Sequence, residues 1–73
     1  MENLIYFASA HDGAIIFFPG NWHYFMKVCD GQGQGGVIDL VTGKLYHKAD
    51  LEKWKYGTQC RVTAKNLDEH YYQ

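Results

Sequence analysis

Cysteine is scarce in this 73-residue chain, where Cys29 and Cys60 are the only two. Two scattered thiols are too few for a disulfide framework and read as reduced, half-buried residues of a cytosolic protein. Proline occurs once, at Pro19, and no linker, repeat or low-complexity stretch divides the chain, so a single domain with one core is expected. No apolar run approaches the roughly 20 residues of a membrane-spanning helix. The segment Leu4-Ile5-Tyr6-Phe7-Ala8-Ser9-Ala10 has the Ala-x-Ala end of a signal peptide, but Glu2 stands where basic residues belong and the apolar part is too short.

Chemistry-bearing motifs are equally sparse. His11, His23, Cys29, His47, Cys60 and His70 show none of the paired spacings of zinc sites, and nothing places an oxyanion hole beside either thiol. No metal, no cofactor and no catalytic residue is expected. Gly31, Gly33 and Gly36 form a formal G-x-G-x-x-G, yet a dinucleotide loop has to open a helix, and Val37-Ile38-Asp39-Leu40-Val41 reads as a strand. A flexible connector is the better reading.

What the chain does have is rings. Aromatic residues make up 16% of it, and Phe17, Phe18, Trp22, Tyr24 and Phe25 crowd into nine positions around Pro19-Gly20-Asn21. A fold of this size buries only about 60% of the surface its unfolded chain exposes. Some rings must therefore stay reachable, and Tyr and Trp dominate binding hot spots. Charge is unevenly placed: residues 1 to 43 set Lys27 against Glu2, Asp12, Asp30 and Asp39, whereas residues 44 to 65 set six cations against Asp50 and Glu52. Such polarity suits docking onto a charged partner.

The pattern predicts an α+β fold: a small, curved antiparallel β-sheet of four to five strands with one short helix, over residues 1–65, followed by a flexible tail at 66–73. Residues 3 to 9 and 14 to 18 read as a hairpin turning at His11-Asp12-Gly13. Residues 22 to 29 read as a strand with Trp22, Tyr24, Met26 and Val28 on the core face. A second hairpin, residues 37 to 42 and 44 to 47, turns at Thr42-Gly43. Residues 49 to 56 read as two helical turns stopped by Gly57, with Leu51 and Trp54 facing inward. Gln59 to Ala64 forms the last strand, with Cys60, Val62 and Ala64 on one side.

The segments WHYFMKVCDGQGQGG (residues 22–36) and VIDLVTGKLYHKADLEKW (residues 37–54), in a chain of this length, resemble the small RNA polymerase-binding transcription regulators of lytic Xanthomonas phages. The resemblance implies a protein of the host bacterial cytoplasm that binds host RNA polymerase. It further implies that the protein blocks initiation by disturbing sigma-dependent promoter recognition and promotes antitermination. A monomer is expected, with no membrane contact and nucleic acid only a secondary partner. From the residues, Tyr6, Trp22, Tyr24 and Tyr46 are the candidate apolar anchors, with Lys44, Lys48 and Arg61 supplying polar contacts. Two other readings stay open. The basic, ring-bearing stretch from 44 to 61 has the ingredients of a single-stranded nucleic-acid groove, and the same binding surface would serve an inhibitor of a bacterial defence enzyme.

Overall fold

A computed structural model of the chain describes residues 4–29, 31, 33, 35–55 and 57–72. Among the described residues six strands form: β1 (Ile5–Tyr6), β2 (Ile15–Phe17), β3 (Tyr24–Val28), β4 (Gly36–Asp39), β5 (Leu45–His47) and β6 (Gln59–Ala64). They form one sheet in the order β1-β6-β2-β3-β4-β5, with every neighbouring pair antiparallel. Two short helices, α1 (Lys48–Leu51) and α2 (Leu67–Tyr71), complete the fold. The expected α+β class with an antiparallel sheet is present, but with six strands rather than four to five and two helices rather than one.

The second hairpin forms as the Thr42-Gly43 signal predicts. Gly43 sits at φ 78, in the left-handed region that glycine enters without steric cost. The Asp39 carboxylate accepts from the Val41 and Thr42 N–H groups at 2.8 and 3.3 Å, while Asp39 N donates to the Lys44 carbonyl at 2.9 Å. Strands β3 and β6 lie within the expected ranges.

The first hairpin does not form. Strand β1 pairs with β6, through Ile5↔Cys60 and Tyr6↔Gln59, whereas β2 pairs with β3 and β6. The cause is Phe7, which is fully buried and whose N–H donates to the Thr58 carbonyl at 2.9 Å, anchoring the chain to the far end of the sequence. Residues Phe7–Ser9 then bend as a single 3-10 turn. Strand β1 lies at one edge of the sheet; Asn3 is outside the described residues.

The faces of β3 are the reverse of the expected ones. Phe25 and Lys27 are buried, Tyr24 is half-exposed, and Trp22, just before the strand, is 90% exposed. A one-residue offset exchanges every side chain between faces. The inner face is closed by Phe7, Ala10, Ala14, Ile16, Phe18, Phe25, Val37, Leu51 and Cys60, against which Tyr46 and Trp54 pack. Each fully buried Phe, Ile or Leu contributes roughly 1.5–3 kcal/mol.

The helix expected over 49–56 is one turn long. After Leu51 the chain bends, and Gly57 N reaches back to the Trp54 carbonyl. A Cβ at Gly57 would collide with the Leu51 carbonyl oxygen and lie 2.8 Å from the Trp54 Cβ, so only glycine permits this close return. Tyr56 lies outside the described residues. In β6, Ile16 pairs with Val62 but Ile15 with Ala64, which leaves Thr63 as a bulge and moves Ala64 to the outer face, away from Cys60 and Val62. Residues 66 to 73, expected as a flexible tail, include α2, whose N-cap Asn66 accepts from Glu69 N at 2.8 Å. This helix lies on the outer face, with the His70 ring 4.8 Å from that of Tyr24.

Candidate functional site: an aromatic trough beside Trp54

At one end of the inner face four rings meet, Phe25 tilted against Trp54 and the other pairs edge to face. Phe18 and Phe25 have centroids 5.4 Å apart, each lies 5.8 Å from Trp54, and Tyr46 lies 5.0 Å from Trp54 at an interplanar angle of 68°. Phe18 and Phe25 are buried; Tyr46 and Trp54 are only partly so and form the exposed edge of the cluster.

The indole divides two hollows. One, of about 270 Å³, is lined by Phe18, Pro19, Gly20, Asn21, Trp54 and Lys55. The other, of about 210 Å³, is lined by Lys44, Tyr46, Asp50, Lys53 and Trp54. Its lysines are exposed, and the Lys44 ammonium sits over the Tyr46 ring at 5.1 Å from the centroid.

Local sequence builds both walls. Phe18-Pro19-Gly20-Asn21 is a tight turn closed by Asn21 N to the Phe18 carbonyl at 3.1 Å, with Pro presetting the first central residue and Gly20, at φ 81, the second. The opposite wall is α1 and the bend after it, where Asp50 accepts from His47 N at 3.0 Å. Behind the cluster, His23 Nδ1 meets Asp39 Oδ2 at 2.7 Å, joining the approach to β3 to the end of β4. Burial pushes the Asp39 carboxyl up, but the His23 hydrogen bond and the Val41 and Thr42 N–H groups outweigh it and hold the group below the usual aspartate value.

Of the candidate contact residues, the trough gathers Lys44 and Tyr46. Lys48 begins α1, half-buried. Tyr24 and Arg61 lie on the outer face, where both approach Phe17: its ring is 5.7 Å from that of Tyr24, and the Arg61 guanidinium lies 5.6 Å from its centroid. Tyr6 is half-exposed on the edge strand, and Trp22 projects alone. The proposed anchors therefore fall on different faces rather than on one surface. Phe18, Pro19, Asn21 and Trp54 were not among them, although Pro19-Gly20 is the kind of turn signal that marks this wall in the sequence.

A third cleft, of about 230 Å³, is lined by Ala8, Asp12, Lys27, Cys29, Gly33 and Gly35. The buried Lys27 ammonium reaches Asp12 at 3.2 Å. The glycine-rich loop leads into β4 rather than a helix, so it lacks the helix N-terminus of a dinucleotide site; Asp30, Gln32 and Gln34 lie outside the described residues. Among the described residues no group of three His, Cys, Asp or Glu side chains is placed to hold a metal, and no helix is long and apolar enough to cross a membrane. Compared with protein-family models, with curated protein sequences and with solved structures, the chain matches none.

Proposed function

We propose that this protein is a non-catalytic binding module whose partner is bacterial host RNA polymerase. In this reading it inhibits initiation by disturbing sigma-dependent promoter recognition, and it promotes antitermination. The observation that carries the binding role is the trough: two half-buried rings, Trp54 shared by paired hollows and Tyr46 in the wall of one, edged by Lys44, Lys53 and Lys55. Rings that stay reachable while braced by a packed cluster make rigid anchors with little entropy left to lose. The identity of the partner rests on the resemblance of residues 22–54 to the phage regulators.

Affinity capture from Xanthomonas lysate tests the reading, using the intact protein as bait beside a Tyr46→Ala bait. Polymerase subunits should be enriched on the first and depleted on the second. If the intact protein retains no more polymerase than an unrelated bait of similar charge, the reading is abandoned.

The lysines beside the rings favour a second reading, single-stranded nucleic-acid binding. That reading requires affinity to fall steeply as salt rises, because each neutralised phosphate releases a counterion. A flat salt dependence removes it.

A further inference from the structure

Resting on the trough as the partner site, we infer that its occupant is an acidic, proline-containing segment bound in the extended polyproline II conformation. Three observations point to this chemistry. First, the site is two hollows that share the Trp54 indole, each with a second ring in its wall, Phe18 in one and Tyr46 in the other, rather than a single deep pocket. A polyproline II chain repeats its same-side residues every three positions, about 9 Å apart, so residues i and i+3 can enter neighbouring hollows while the chain passes the indole. Aromatic-lined grooves recognise this conformation because it is preformed and loses little entropy on docking.

Second, the charge around the hollows is positive. Lys44 and Lys53 line one and Lys55 the other, against a single lining carboxylate, Asp50, which already accepts from His47 N. An acidic segment complements that field, and a basic one is repelled.

Third, the rings are arranged poorly for nucleobases. A base needs an open ring face. Here the Tyr46 face carries the Lys44 ammonium, and Trp54 meets Tyr46 and Phe18 at 68° and 85°. A stacked purine therefore finds little open ring face, whereas an extended chain can seat its side chains in the hollows beside the rings.

The test uses the intact, isotope-labelled protein and four probes: a peptide of Asp-Pro-Pro repeats, the same length of Lys-Pro-Pro repeats, Asp-Gly-Gly repeats, and oligothymidylate. Amide and indole resonances are followed during titration. The Asp-Pro-Pro peptide should give saturable shifts at Asn21, Tyr46, Lys53 and the Trp54 indole while α2, on the opposite face, stays unchanged. Charge reversal by Lys44→Glu with Lys53→Glu, two exposed positions, should weaken that binding about tenfold with the fold intact.

The inference is overturned if the intact protein shows no such shifts. It is equally overturned if Lys-Pro-Pro or Asp-Gly-Gly binds as well, if oligothymidylate binds more tightly, or if the same resonances move with protein concentration alone, which would make a second copy the occupant. Repeating the capture experiment with the charge-reversed bait separates this outcome from the broader proposal. Polymerase retained equally by both baits sinks the acidic-segment inference and leaves the polymerase reading standing. Peptide binding without polymerase capture does the opposite.

Discussion

At β3 the sequence offers apolar residues on both alternating sets, so the face is decided by where its polar members find partners. His23 and Lys27 look like outward-facing residues. Lys27 turns inward and the half-exposed His23 turns toward the end of β4 because Asp12 and Asp39, 15 and 16 positions away, accept their hydrogen bonds, and no local pattern announces such pairing. Trp22→Ala should therefore leave thermal stability nearly unchanged, whereas Phe25→Ala should cost about 3–5 kcal/mol in chemical denaturation. A large loss at Trp22 would contradict the face assignment. Asp39 offers a pH test. Its folded-state carboxyl is held below its unfolded value, so the stabilisation is complete above about pH 4 and is lost as pH falls through the lower, folded value. Denaturation measured from pH 6 downward should show an acid loss that Asp39→Asn flattens, the variant itself being about 1–3 kcal/mol less stable at neutral pH. The thiols should separate as well. Burial pushes Cys60 up to about 11, and Cys29 is exposed, so mass spectrometry at pH 8 should find Cys29 alkylated in the native protein and Cys60 only after unfolding.

Elements whose signals are local were legible from the residues. Thr42-Gly43 gave its hairpin, and residues 59 to 64 gave their strand. The elements that differed depend on distant contacts: β1 is drawn from β2 to β6 by the burial of Phe7, and the helix after His47 is cut to one turn because the chain must return past the Leu51 carbonyl. The trough was half legible, since its lysines and rings stood out in the stretch from 44 to 61. The union of Trp54 with Phe18 and Pro19 depends on folding across 35 positions and had no local signature. Gly57→Ala tests the return directly. Its Cβ would displace backbone rather than a flexible side chain, so a loss of roughly 1–3 kcal/mol is expected. A shifted Trp54 indole resonance should accompany it. Unchanged stability together with an unchanged indole would mean that the bend is not fixed by this contact.

For the molecule as a whole, the pairing of its first strand with its last has a kinetic consequence. Strands β2 to β5 run consecutively in the sheet, and each can find its neighbour across a short connection. Strand β6 is different: it inserts between β1 and β2 and supplies Cys60 to the core, so the sheet lacks an internal strand until residues 59–64 arrive. A fragment ending at Gly57 should therefore give a disordered circular dichroism spectrum, whereas the full chain should refold in milliseconds to seconds, as folds dominated by distant strand pairs do. During synthesis the fragment's situation is the nascent chain's own. Its aromatic core stays unsealed until β6 has cleared the ribosome, so this sheet closes only after residues 59–64 have been made.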